Sequence, residues 1–143
     1  MFIGEYIHNQ DAKKRLAVPA KFRSELGKRA VLARGPDKCL ALYPLKEWEK
    51  VANKIAELPT GDRQFRSFAR FFLSGASEVE LDGLGRILIP DFLKEHAGLH
   101  KKVVIAGVND RIEIWDDQKW KEYKNKTESA GGEIAERLKE LGI

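Results

Sequence analysis

Two arginines stand at the end of the same five-residue phrase. Asp11-Ala-Lys-Lys-Arg15 runs on into Leu-Ala-Val-Pro19, and Asp82-Gly-Leu-Gly-Arg86 into Ile-Leu-Ile-Pro90, with Asp, Arg and Pro at identical relative positions. An aspartate in such a position can bond to nearby backbone amides and fix a tight polar turn. The arginine that follows is delivered at a strand edge, where its planar fork suits phosphate oxygens or the O6 and N7 acceptors of guanine in a major groove. A second chemistry is open to the same residues: an internal Asp–Arg salt bridge that merely holds each turn. Gly83 and Gly85 relieve backbone strain in the second copy. Lys13 and Lys14 add charge to the first turn, whereas the second turn has no lysine. The first turn is therefore expected to carry most of any phosphate contact. The candidate DNA-binding residues are Lys13, Lys14, Arg15 and Arg86, with Asp11 and Asp82 structuring the turns.

These phrases belong to a longer duplication. Gly4 matches Gly75 and Gly27 matches Gly98 at an offset of 71. One inserted residue then moves the offset to 72, at which Gly35 matches Gly107, Leu40-Ala-Leu-Tyr43 matches Ile112-Glu-Ile-Trp115, and Trp48 matches Trp120. The period is too long for a solenoid and indicates a duplicated small unit with a pseudo-two-fold axis and two similar sites. Each copy reads as strand, turn, strand, short helix, strand, turn, strand. Proline ends the second strand and opens the helix, Phe22 and Leu26 share a helix face, and Gly27 stops it. Half of a 143-residue chain is marginal as an independent domain, so the two copies are expected to share one core. The reading divides the chain into a first repeat with its helix (1–59), a linking helix (60–76), a second repeat with its helix (77–126) and a helical tail (127–143). In the linking helix Phe65, Phe68 and Phe72 form an apolar stripe, expected in the core or at a subunit interface. Trp48 and Trp120 are expected to be equivalent core anchors.

Composition narrows the function classes. The chain is 43% hydrophobic and 34% charged, with a net charge of +4, as in a soluble globular protein. The excess sits in the first repeat: residues 1–59 hold 12 Lys and Arg against 7 Asp and Glu, whereas residues 60–143 hold 14 against 15. A one-sided basic patch attracts a polyanion, although scattered surface charge gives the same count. Lys21, Arg23, Lys28 and Arg29 extend that patch or form a solvated helix face. Cys39 is the one cysteine and lies in an apolar run, which makes it a small buried hydrophobe and rules out an internal disulfide. No nucleophile elbow, phosphate-binding loop or cysteine pair appears, and His96 and His100 are separated by Gly98. Neither an enzyme, a metal nor a cofactor is expected. No leader or membrane span is expected either, which places the chain in the cytosol.

Gly4-Glu-Tyr6, the Asp11 to Arg15 turn with Pro19, and Asp82-Gly-Leu-Gly-Arg86-Ile-Leu-Ile-Pro90 resemble the bacterial MraZ family, proteins with two tandem SpoVT–AbrB-type domains. The resemblance runs from Phe2 to about Tyr123. It implies an α+β fold: a pseudo-two-fold swapped-hairpin β-barrel in which one chain supplies both intertwined halves. It also implies a sequence-specific transcriptional regulator, repressing its own division and cell-wall operon, that binds double-stranded DNA at promoter repeats, assembles into closed ring homo-oligomers and associates with the nucleoid. On the matching positions, Asp11, Arg15, Asp82 and Arg86 are motif residues, with the arginines on the DNA face. One departure is Lys13-Lys14, where many relatives have a lysine followed by glycine, which leaves this turn less relaxed or more basic. The alternative function is an antitoxin-like protein-binding module on the same barrel, for which Ile134 to Leu141 is the available apolar segment.

Overall fold

The structure, a computed structural model describing residues 1–143, starts with strand β1, Phe2–Asn9, and the short strand β2, Arg15–Ala17. Pro19 lacks an amide proton to continue a ladder, and its φ of −51° leads into helix α1, Ala20–Leu26. Phe22 and Leu26 on α1 are buried, and Gly27 ends the helix with φ 83°. Strands β3, Arg29–Arg34, and β4, Leu40–Pro44, are joined through a 3-10 turn at Pro36–Lys38. Helices α2, Leu45–Ala56, and α3, Arg63–Ser74, lead to the second copy; Asp62 caps α3 by accepting the Phe65 amide at 3.0 Å. The order then recurs as β5 (Ser77–Glu80), β6 (Arg86–Leu88), α4 (Asp91–Ala97), β7 (Lys102–Asn109), β8 (Arg111–Asp116) and α5 (Asp117–Ser129). A break at Ala130 precedes the last helix, α6, Gly131–Glu140.

The class is α+β. One six-stranded antiparallel sheet has the order β1-β7-β8-β4-β3-β5, and β2 pairs with β6 in a separate two-stranded ribbon. Four of the six pairings cross the repeats, and only β3–β4 and β7–β8 lie within one copy. β1 of the first copy lies on β7 of the second, from Phe2 opposite Asn109 to Asn9 opposite Lys102, and β5 of the second copy lies on β3 of the first. The sheet does not close into the barrel that the resemblance implied: β1 and β5 are its two edges and no ladder joins them. The cause is local. The residues equivalent to Phe2–Glu5 are Leu73–Ala76, and α3 uses them for its last turn and its cap at Gly75, so β5 begins only at Ser77. Gly4 and Gly75, matched in sequence, accordingly differ in role: Gly4 sits in a strand at φ 106°, and Gly75 ends a helix.

Both sheet faces are covered, which explains why the central strands are buried along nearly their whole length. On one face Leu32, Leu40, Leu42, Ile105, Ile112 and Ile114 meet Leu16 and Ile87 of the ribbon and Phe22, Leu26 and Leu93 of α1 and α4. This single core draws on both copies, as their small size required. On the other face Ala33, Ala41 and Tyr43 pack under Trp48 and Phe72, and Cys39, Val104 and Trp115 under Trp120. The tryptophans are indeed equivalent: Trp48 lies 5.7 Å from Tyr43, and Trp120 lies 5.3 Å from Trp115, its sequence match. Such pairs add about 0.5–1.5 kcal/mol beyond the area they bury. The phenylalanine stripe is split. Phe72 stacks on Trp48, whereas Phe65, Phe68 and Phe71 are exposed. Arg34 of β3 ties down the end of α3 by donating from Nη1 to the Phe71 carbonyl at 2.8 Å, with its guanidinium 3.9 Å above that ring.

β1 can approach β7 closely because Gly4 faces Gly107. A Cβ on Gly107 would stand 2.5 Å from the Ile3 nitrogen and 2.6 Å from the Phe2 carbonyl carbon, both backbone atoms that cannot rotate away. Gly107→Ala is expected to lower the unfolding free energy by about 1–3 kcal/mol, read as a reduced urea midpoint. Amide exchange should quicken along β1 before it quickens in β4.

Candidate nucleic-acid interface

The two Asp-x-x-x-Arg phrases fold into the same turn. In the first, Asp11 Oδ1 accepts the amides of Lys13 and Arg15, both at 2.9 Å, and Oδ2 accepts Arg15 Nε at 2.8 Å. In the second, Asp82 Oδ1 accepts the amides of Leu84 and Arg86, both at 2.9 Å, and Oδ2 accepts Arg86 Nε at 2.8 Å. Backbone bonds close each loop, Asp11 N to Arg15 O at 3.0 Å and Asp82 N to Arg86 O at 2.9 Å. The carboxylate thus holds the turn and its own arginine at once. The salt-bridge chemistry anticipated from the sequence is present, but it occupies only one nitrogen of a five-donor fork.

The turns lie at opposite ends of the β2–β6 ribbon, whose register sets Arg15 opposite Leu88, Leu16 opposite Ile87 and Ala17 opposite Arg86. This pairing maps onto itself under exchange of the copies, so a local two-fold axis passes through the Leu16–Ile87 pair. The bonds that flank the ribbon obey the same exchange: Val18 N donates to Gly85 O at 2.9 Å, and Ile89 N donates to Lys14 O at 3.1 Å. Leu16 and Ile87 are fully buried. Alternation along a strand therefore turns Arg15 and Arg86 to the outer face. Their side chains are 32% and 27% exposed, so the fork ends are neither free in solvent nor sealed. Arg86 Nη1 also lies 3.9 Å from Asp11 Oδ2, which brings the second arginine toward the first turn.

The departures from symmetry are specific. Hydrogen-bond equivalence pairs Lys13 with Leu84 and Lys14 with Gly85. Gly85 has φ 73° and Lys14 has φ 63°, so a lysine occupies the left-handed position that glycine fills in the other turn. Lys14 Nζ forms an ion pair with Asp91 at the start of α4, while Lys13 is exposed. Sequence reasoning left Arg23 between two roles and missed a third: it donates from Nε to the Val18 carbonyl at 2.8 Å and packs so closely on Gly85 that a Cβ there would lie 2.2 Å from Nε. The glycine at the end of the second turn was the signal for that approach. Lys28 pairs with Glu80 at 3.5 Å. His100 Nδ1 lies 3.0 Å from Asp116, the residue that caps α5, whereas His96 faces Phe71, so the two histidines serve different elements. Cys39 is buried, and burial pushes its thiol up.

A family model described as "MraZ protein, putative antitoxin-like" matches residues 1–71 and again 72–140. The chain is 50% identical over 143 residues, the full length of both sequences, to the transcriptional regulator MraZ of Alkaliphilus metalliredigens. The same identity and coverage hold for the proteins of that name from Halothermothrix orenii and Thermoanaerobacter pseudethanolicus.

The turns make a prediction in acid. The Arg15 amide, with the Arg15 guanidinium and the Lys13 amide, holds the Asp11 carboxyl below the usual carboxylate range against an opposing desolvation. The Arg86 amide heads the same set of causes at Asp82. A carboxyl depressed by folding contributes stability that is complete above its unfolded pKa of about 3.9 and is lost as pH falls through the folded value. The double variant Asp11→Asn, Asp82→Asn is expected to be less stable at neutral pH. Its urea midpoint should also fall less steeply than the native one from about pH 5 downward.

Proposed function

The chain belongs to the MraZ family, and from that membership we propose that it is a sequence-specific DNA-binding transcriptional regulator that places its β2–β6 ribbon in the major groove. The observation that carries this reading is the pair of aspartate-held arginines, related by a local two-fold axis, on the outer face of that ribbon. A two-stranded ribbon has the dimensions to enter a major groove, and fixing Nε on a carboxylate leaves the outer nitrogens of the fork oriented for guanine or phosphate. Preorganisation of this kind reduces the ordering cost of binding. Lys13 and Lys14 supply phosphate attraction beside Arg15. Lys14 gives up its contact with Asp91 to do so.

The exchanged pairing of β1 with β7 and β3 with β5 supports a swapped-hairpin origin for this unit, with α3 as the link between repeats and α6 as a tail outside them. Exposed Ile3 and Ile7 on β1 and Phe65, Phe68 and Phe71 on α3 support self-association into the ring that the family resemblance implies. Several linked ribbons would grip regularly spaced promoter repeats by avidity. Repression of the chain's own division and cell-wall operon, on the nucleoid, is the regulatory sense of this reading. No helix is long and apolar enough to cross a membrane.

Arg15→Ala is expected to abolish specific binding to the chain's own upstream DNA in a mobility-shift assay while its circular dichroism spectrum stays native. Normal binding by that variant would remove Arg15 from the site. Native affinity should fall with salt, and Lys13→Ala should flatten the log–log slope by about one.

A further inference from the structure

The two ends of the ribbon differ in kind as well as in charge. With Leu16 and Ile87 turned inward, the outer row consists of Arg15, Ala17, Arg86 and Leu88. Leu88 is directly across from Arg15, whereas Arg86 has Ala17 across from it. Leu84 takes in the second turn the place of Lys13 in the first, its amide bonding Asp82 as that of Lys13 bonds Asp11. Leu84 is 65% exposed and Leu88 58%. A lone exposed leucine needs no explanation. Here two of them bracket Arg86, one two residues before it and one two residues after, on the surface that carries the arginines.

Resting on the DNA-binding reading above, we propose that Leu84 and Leu88 read thymine C5-methyl groups on either side of Arg86, with Leu88 contacting a base pair beside the one that Arg15 addresses. The thymine methyl is the apolar feature of the major-groove edge, and aliphatic side chains read it by burial. The occupant follows from the charge around the leucines. Arg15, Arg86 and Lys13 share this surface, so a second copy of the same face would meet like charge, whereas a duplex meets the cations with phosphate and the leucines with methyls. The first-turn end of the ribbon then combines Lys13 and Arg15 with Leu88, and the second-turn end combines Arg86 with Leu84. The methyl preference belongs to the part of the operator lying under Leu84 and Leu88.

The test uses the full-length chain and a duplex that it selects from a random pool. Each thymine of that duplex is replaced in turn by deoxyuridine, which lacks only the C5-methyl, and affinity is read by fluorescence anisotropy. Native protein should lose roughly fourfold at one or two thymines, the amount expected for one buried methyl. In Leu88→Ala or Leu84→Ala the same replacement should cost nothing further, with the salt slope unchanged. Lys13→Ala should do the reverse, lowering the slope and keeping the methyl penalty. Indifference of the native chain to every replacement overturns the inference, as does an undiminished penalty in both leucine variants. An altered sedimentation coefficient with unaltered base preference would assign the leucines to a contact between copies and overturn it too. Failure of the underlying reading is a separate result: no duplex is enriched, and Arg15→Ala behaves as native, which removes the inference along with it.

Discussion

A carboxylate that accepts two backbone amides and one guanidinium is the constraint on which this molecule's working face depends. Asp11 and Asp82 each stand at the entrance of a turn and accept from the residue that leaves it, so the loop and its arginine are fixed by one group. Without the carboxylate, the amides would need water and the arginine would sample its rotamers freely. With it, the guanidinium starts from a held position, and the part of the fork not used inside the protein keeps a defined direction. The salt bridge takes Nε and leaves the outer nitrogens of the same fork with a defined direction.

The second constraint is size. Each repeat is marginal in size as an independent domain, and the fold answers by exchange: β1 completes the sheet beside β7, β5 completes it beside β3, and β2 and β6 meet across the axis. The ribbon bearing the arginines is thus built from both copies and rests on a core supplied by both. Its geometry cannot be altered in one repeat without affecting the other. Arg23 makes the coupling concrete, since it belongs to α1 of the first copy and supports the backbone of the second turn at Gly85.

Symmetry of the backbone coexists with asymmetry of chemistry. The turns share the same set of hydrogen bonds, yet one carries Lys13 and a lysine in the left-handed position, and the other carries Leu84 and a glycine. Duplication gives a chain two equivalent places on the same scaffold, and divergence at solvent-facing positions changes the chemistry of each without disturbing the core. Long-range charge attraction and short-range apolar contact respond differently to salt.

Much of this was legible in the residues themselves. The proline and glycine stops and the aspartate-held turns follow from local rules of backbone and burial, while the repeat, the shared core and the equivalence of Trp48 and Trp120 follow from the chain's own duplication and its length. Sequence spacing also named both chemistries open to each arginine. It did not reveal that the internal bond takes only Nε of each fork, that α3 shortens β5 and leaves the sheet open, that Phe65 and Phe68 stay outside the core, or that Arg23 braces the opposite repeat. It could not set Leu88 across from Arg15. Those facts depend on which strand pairs with which and in what register, and register is decided by the simultaneous packing of segments about 70 residues apart. Periodicity says that a side chain alternates; only the partner strand says what it faces.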